Sequence, residues 1–384
     1  MKLLHFSDIH IGMENYSKLD PETGLSTRLL DFFKTFDFIV DLAIKNQVDA
    51  VIFAGDAYKS RDPNPTQQRG FGERIKKLAK AGIPTVLAVG NHDTPNAQGK
   101  ANTLDIYSAL EIDNVWVSRE PQLLKIPTKS GDLQVVTLPW LHKNDYKKVA
   151  EKIRLLYDKI VPPPAGGPAI FLAHAEVEGS FYGSEKGMAI GNDVTIPLSL
   201  LQDKKLSYVA LGHIHKHQVL SKKPLVVYSG SPQRIDFGEE KEEKGVCLVE
   251  IDQETTFKFI STNARKFLTI TVDLKANDPN PTQTVLAEIQ KHDIKDTIVR
   301  LVINIPADLE KELEMDQIKK SLKRAEFIAG ISRNLERRQR FAIEGADGVE
   351  RLTPVEALQK YFAAKKYSPV KIKQLEEYAK KIFE

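Results

Sequence analysis

Apolar residues along this chain recur in two rhythms. Short unbroken runs stand at 2–7, 50–55, 84–89, 169–173 and 207–211, and each is too short for a helix. Runs that lack polar alternation predict strands buried on both faces, as in a parallel sheet. Between the first three runs the spacing turns helical. Leu29, Phe32, Phe33, Phe36, Ile39, Val40 and Ala43 mark one helix, and a second spans 66–80, stopped by Gly82 and Pro84. A short helix over 102–110, short strands between Val115 and Trp140, and a helix over 144–159 follow. The Pro- and Gly-rich stretch 161–168 reads as a surface connector between two halves of one domain. Further strands stand near 217–220, 224–228, 244–251 and 255–260. Helix-separated strands in front and clustered strands behind predict a four-layer α/β sandwich, two packed mixed sheets flanked by helices.

From Phe267 the rhythm changes to a compact β-α-β-α-β unit, with strands at 267–273, 297–304 and 325–333 and helices at 281–291 and 309–323. A polar segment at 345–349 then precedes two helix starts, Thr353-Pro-Val-Glu356 and Ser368-Pro369. Their apolar residues, Val355, Leu358, Phe362, Ile372, Leu375 and Ile382, are too few to fold alone and call for a partner surface. The expected division is 1–264, a small α/β cap at 265–343, and a linker with a helical tail at 344–384.

Five of the buried runs end on groups that bind metals. Asp8 and His10 follow the first, Gly55-Asp56 the second, and Asn91-His92-Asp93 the third, while His174 and then His213 and His215 follow the later two. The carboxyl ends of strands are where open α/β sheets place ligands. In extended backbone, residues two apart share a face, so Asp8 with His10 and His213 with His215 each grip one site. Carboxylate, amide and imidazole without thiolate favour Mn²⁺, Fe²⁺ or Zn²⁺ over Ca²⁺. The seven candidate ligands Asp8, His10, Asp56, Asn91, His174, His213 and His215 exceed one ion's needs and suit two ions bridged by Asp56. Such a pair binds a phosphate diester and lowers the pKa of a bridging water. His92 is left over as the catalytic residue, protonating the leaving oxygen or stabilising the transition state.

Other histidines take ordinary roles: His5 lies within the first strand, and His142, His217 and His292 read as structural or exposed. Charged runs such as Glu239-Glu-Lys-Glu-Glu-Lys244 read as solvated turns. The formal charge of +3 permits an anionic partner without requiring one. A single cysteine, Cys247, leaves no disulfide framework and suits a reducing cytoplasm. The start of the chain enters a strand at once, which predicts no signal peptide, and no apolar run approaches membrane-spanning length.

The five motifs, in this order, resemble those of the calcineurin-like metallophosphoesterases. Together with Tyr228-Ser-Gly-Ser-Pro-Gln-Arg-Ile-Asp-Phe-Gly238, the cap and the helical tail, they resemble the SbcD-type branch of DNA repair nucleases. The resemblance implies a Mn²⁺-dependent exonuclease on DNA ends and endonuclease on single strands and hairpins, a homodimer, and an SMC-like SbcC-type ATPase partner docked through the C-terminal helices. It implies one metal on Asp8, His10, Asp56 and His215, the other on Asp56, Asn91, His174 and His213, and His92 as the catalytic histidine, in a cytoplasmic, nucleoid-associated protein. One position departs from the archaeal relatives, which carry a histidine where Lys59 stands. Phe71, Ile75, Leu104, Tyr107 and Leu110 are the apolar candidates for the dimer contact, or pack within the monomer. A phosphatase or cyclic-nucleotide phosphodiesterase would use the same seven ligands, and a non-catalytic scaffold subunit would have lost some of them.

Overall fold

The computed structural model describes residues 1–95, 97, 99–141, 149–163, 165–183 and 195–336, and in the tail 358, 359, 361, 362, 367, 368, 371–375 and 378. In chain order its elements are β1 (Lys2–Phe6), α1 (Thr27–Lys45), β2 (Ala50–Phe53), α2 (Pro65–Lys80), β3 (Thr85–Ala88), α3 (Asp105–Ala109), β4 (Val115–Ser118), β5 (Gln122–Thr128), β6 (Gly131–Leu138) and α4 (Val149–Asp158). There follow β7 (Ala169–His174), β8 (Glu176–Val177), β9 (Thr195–Ile196), β10 (Tyr208–Gly212), β11 (Gln218–Lys222), β12 (Leu225–Tyr228), β13 (Gly245–Ile251), β14 (Thr255–Ser261), β15 (Phe267–Asp273), α5 (Pro281–Gln290), β16 (Ile298–Pro306), α6 (Met315–Ser321) and β17 (Phe327–Glu336).

Local chemistry sets the helix starts. Ser26 Oγ accepts from Leu29 N at the head of α1, and Asn64 and Gln67 form a reciprocal capping box around Pro65 at the head of α2. The strands assemble into two six-stranded sheets, ordered β14-β13-β1-β2-β3-β4 and β11-β12-β10-β7-β6-β5. β1 to β4 run parallel, with β13 antiparallel beside β1. In the second sheet β12, β10, β7 and β6 run parallel, with β11 and β5 antiparallel at the edges.

Alternation along each buried strand divides its side chains between two cores. Leu3, Ile52 and Val86 of the first sheet pack against Ile170, Leu172 and Ala210 of the second. The opposite face of the first sheet, with Phe6, Val51 and Phe53, packs on Phe32, Phe36, Phe71 and Ile75 of α1 and α2. Val136, Phe171 and Val209 pack on Ile153 and Leu156 of α4. This is the expected four-layer sandwich. It explains why these strands read as continuous apolar runs, since both faces are covered.

One expectation is corrected, and one open alternative is decided in favour of packing within the monomer. The stretch 161–168 joins α4 to β7, both packed on the second sheet, so it does not divide the halves; the chain crosses between sheets at 119–121, between β4 and β5. Phe71, Ile75, Leu104 and Tyr107 are buried in the first-sheet core and offer no dimer surface, which leaves Leu110 alone exposed at 65%. The cause is the short α3, which lays Tyr107 on Phe71 with ring centroids 5.9 Å apart.

Internal packing separates Met1–Ile270, His292–Arg300 and Leu322–Gly330 from a second unit of Thr271–Lys291, Leu301–Ser321 and Ile331–Glu384. β15, β16 and β17 pair in that order, and in the second unit Thr282 Oγ1 donates to Glu312 O and accepts from Glu314 N, tying the head of α5 to the chain before α6. Thr353, Val355, Ile382, the segment 345–349 and His142 lie outside the described residues, as does the first part of the helix expected at 144–159. Among the described residues no helix is long and apolar enough to cross a membrane.

Candidate metal centre

All seven expected ligands stand at or just beyond the carboxyl ends of parallel strands. Asp8 and His10 follow β1, Asp56 follows β2, and Asn91 follows β3. His174 closes β7, and His213 and His215 follow β10. The structure brings them together at one place. His10 Nε2 lies 3.0 Å from His215 Nε2, and His174 Nε2 lies 2.8 Å from Asn91 Oδ1. Asp56 Oδ2 sits between the two clusters, 3.6 Å from His10 Nε2 and 3.5 Å from His174 Nε2. His213 approaches through its other nitrogen, Nδ1, 3.3 Å from Asn91 Oδ1.

The backbone does not reach this arrangement by extension. Asp8, His10, Asp56 and His213 have φ of +52°, +46°, +59° and +95°, so the face-sharing of residues two apart, expected from extended chain, is not what pairs Asp8 with His10. The chain leaves the sheet after Phe6 and coils back, tied by Asp8 N to Gly55 O at 2.9 Å and His10 N to Asp56 O at 3.2 Å. Strained conformations of this kind persist only where the surroundings over-determine them. Gly55 is needed for a second reason: its φ is +94°, and a Cβ there would lie 2.8 Å from Cγ of His174.

Three imidazoles are oriented by their outer nitrogens. His10 Nδ1 faces Tyr58 O at 3.4 Å, His174 Nδ1 faces Ala54 O at 2.7 Å, and His215 Nδ1 faces Glu239 Oε1 at 2.8 Å. A carbonyl or carboxylate accepts only from N–H, which assigns a proton to Nδ1 and turns Nε2 inward as the nitrogen whose lone pair a cation would take. With two carboxylates, an amide oxygen and no thiolate, the donor set fits one or two borderline divalent cations. Cys247 is buried in β13 and is not among these donors.

Burial and neighbours compete over the charges. Burial pushes the Asp8 carboxyl up. Burial acts the same way on Asp56, but His174, His92 and His10 outweigh it and hold that carboxyl well below its usual range. His10 is pushed well down by burial, while His174, equally buried, is lifted by Asp56 and Asp8 to about 9.

His92 borders the centre, its ring 4.9 Å from that of His10, with Nδ1 donating to Lys59 O at 2.7 Å and its backbone N donating to Asp56 Oδ1 at 2.9 Å. His5 is confirmed as structural, since its Nδ1 lies 3.0 Å from Tyr208 Oη and burial pushes it down to about 3. His217 stays with the sheet, stacked on Phe259 with centroids 4.2 Å apart.

The roles of three buried polar residues were not foreseen from the sequence. Asp93 accepts from the backbone N of Asp56, Ala57 and Gly90, each at 3.0 Å, and so locks the second motif to the third. Glu239 and Lys244 were expected on a solvated turn, yet both are buried and paired at 2.9 Å. The signal was faint: Glu239 directly follows the Tyr228–Gly238 segment that already carried the resemblance.

The sequence model described as calcineurin-like phosphoesterase matches residues 1–217, the stretch that holds every candidate ligand. The chain belongs to that family. Its four-layer sandwich is the family's fold, and its clustered donors fit the metal-dependent phosphoesterase that the family model describes. Among relatives, the DNA double-strand break repair protein Mre11 of Sulfurisphaera tokodaii is 27% identical over 283 residues, covering 71% of this chain and 65% of its own. The SbcD component of the SbcCD nuclease of Bacillus subtilis is 25% identical over 288 residues, covering 69% of this chain and 71% of its own. The matches thus span about two thirds of these relatives. Among solved structures, TT1561 of Thermus thermophilus aligns over 68% of this chain and 98% of its own, with 15% identity and a TM-score of 0.41.

Proposed function

We propose that this chain is a two-metal, Mn²⁺-dependent DNA nuclease, an exonuclease on ends and an endonuclease on single strands and hairpins, working with an SbcC-type ATPase in double-strand-break repair. The observation that supports it most is the placement of Asp56 Oδ2 between His10 and His174 Nε2, in a chain whose relatives are named as a break-repair protein and a nuclease component. One ion would be held by Asp8, His10, Asp56 and His215, the other by Asp56, Asn91, His174 and His213. When bound, the pair supplies Lewis acidity and an activated water.

The chain's own residues do the rest. The carboxylates Asp8 and Asp56 carry the charge that retains the cations, and the Nδ1 contacts described above fix three imidazoles before any cation arrives. His92, with Nδ1–H committed to the Lys59 carbonyl, presents Nε2 to the centre. As imidazolium it would carry a second proton on Nε2 and donate that one to the leaving oxygen, a contribution of about 10²–10⁴-fold in rate. Because the contact is to a backbone carbonyl, the departure at Lys59 changes the side chain beside His92 and not what orients it. The reading includes a homodimer, a cytoplasmic, nucleoid-associated location, and docking of the ATPase on the tail from Thr353. Truncation after Gly348 then preserves cutting of a simple DNA substrate and abolishes co-purification with the ATPase.

The deciding assay compares Mn²⁺-dependent cleavage of a labelled DNA hairpin with hydrolysis of bis(p-nitrophenyl) phosphate. Hairpin cutting supports the nuclease. Turnover of the small diester alone would replace it by a phosphatase or cyclic-nucleotide phosphodiesterase, and neither activity with metals bound would mean a scaffold.

A further inference from the structure

His215 rests on a different kind of support from the other two imidazoles oriented through Nδ1. His10 and His174 turn that nitrogen to neutral carbonyls, whereas His215 turns it to the Glu239 carboxylate at 2.8 Å. Glu239 ends the short 3₁₀ turn Phe237–Glu239 and is fully buried. Its second oxygen, Oε2, accepts from Ile235 N and from Lys244 Nζ, both at 2.9 Å. Lys244 is itself 2% exposed and donates also to the carbonyl of His215 at 3.2 Å, to Ser231 Oγ at 2.9 Å and to Glu242 at 2.7 Å. The acid therefore holds the ring of His215 while the ammonium holds its backbone.

Stability is a poor explanation for that pair. Taking a carboxylate and an ammonium out of water costs several kcal/mol per ion, and apolar residues of equal volume are often as stable or more so. Glu239 Oε2 lies against the Lys244 ammonium at 2.9 Å and accepts from Ile235 N, surroundings built for a carboxylate where it meets the ring. The turn that presents it is anchored from outside: the Arg300 guanidinium lies 4.3 Å from the Phe237 ring, and Glu240 accepts from Thr269 N at 2.8 Å and Oγ1 at 2.7 Å.

We propose that Glu239, backed by Lys244, is a positioning residue of the metal centre, fixing His215 as its Nδ1–H tautomer with Nε2 turned to Asp8 and His10. An anionic partner also makes the imidazole a stronger donor than a neutral carbonyl does. The inference rests on the two-metal reading and concerns one of the two ions, the one assigned to His215.

The test uses two double variants of the full chain. Glu239→Leu with Lys244→Met removes both charges and the acceptor at similar volume; Glu239→Gln with Lys244→Met keeps an acceptor without charge. Long-range ¹H–¹⁵N NMR of the metal-free protein reads the His215 tautomer, and titration calorimetry reads Mn²⁺ affinity and stoichiometry. The wild type is expected to take up two ions, with His215 protonated at Nδ1. The Leu/Met variant should lose the fixed tautomer and weaken one binding event by about 10–100-fold, leaving the other unchanged, with the Gln/Met variant between. An unaltered tautomer and isotherm in the Leu/Met variant would overturn the proposal. Should that variant fail to fold, wild-type affinity in the Gln/Met variant would overturn it instead. A wild type that binds fewer than two ions marks failure of the two-metal reading, and the tautomer comparison then judges the positioning role by itself.

Discussion

Gly90→Ala tests whether the metal-bearing loops are as tightly interlocked as the structure has them. A methyl at Gly90 would fall on the Oδ1 and backbone N of Asp56 and 2.8 Å from its Cγ. Neither side can simply move away, because the Asp93 carboxylate accepts from both Gly90 N and Asp56 N at 3.0 Å and clamps the two backbones together. Overpacking of a filled interior costs about 1–3 kcal/mol, and surrender of one clamping hydrogen bond adds about 1 kcal/mol, for a loss of about 2–4 kcal/mol. Gly82→Ala is the control. Its φ is +67° but nothing stands within 4 Å of the added methyl, so it carries backbone strain without crowding, about 1 kcal/mol. Urea midpoints measured in EDTA give the two costs without metal stabilisation, and elemental analysis gives bound Mn²⁺. Gly90→Ala should lose several times more stability than Gly82→Ala and lose metal as well, since Asp56 must shift. Equal urea midpoints with full metal in both variants would refute the interlocking argument.

Three further outcomes are expected. Asp56→Asn and His174→Ala should each abolish metal-dependent cleavage in a folded chain, checked by circular dichroism beside the hairpin assay. His92→Ala should keep both ions and lose about 10²–10⁴-fold in turnover, and loss of bound Mn²⁺ by elemental analysis would count against a role outside the ligand set. Tyr107→Glu should unfold the first-sheet core and not merely yield a monomer, because the ring is buried on Phe71; a charge without a partner there costs several kcal/mol, read as a lowered Tm.

The sandwich was legible because its strands are buried on both faces, and that one fact produces unbroken apolar runs. The candidate ligands stood out because Asp, Asn and His at strand ends interrupt those runs. What the chain does immediately after β1, β2 and β10 was not. A positive φ at Asp8, His10, Asp56 or His213 leaves no trace in residue type beyond the mild tolerance of Asp, Asn and His for the left-handed region. The spacing of two therefore paired Asp8 with His10 for the wrong geometric reason, and it failed for His213 and His215, which face Asn91 and His10 respectively. Glu239 and Lys244 were missed because a run of alternating acids and bases has the composition of a solvated face; burial was decided by one helical turn and by His215, more than twenty residues away. Phe71 and Tyr107 show the converse, since amphipathic spacing says that a face is covered but not whether by the same chain or by a second copy.

The positive φ angles also bear on why the centre lies where it does. Four non-glycine residues in the left-handed region carry about 1–2 kcal/mol of strain each, a sum comparable to the net stability of a whole domain. Isolated loops would relax. Here each strained residue is pinned through the next motif: Asp8 N to Gly55 O, His10 N to Asp56 O, Asp56 N to Asp93 Oδ2, and His213 N to the Asp8 carboxylate at 3.1 Å. The last of these bonds runs from the second sheet to the first, so the strain at His213 is offset only when both sheets are packed. The metal centre is thus a product of the assembled sandwich. That is why its residues can come from five strand ends spread over more than two hundred positions and still present their donor atoms within a few ångströms of one another.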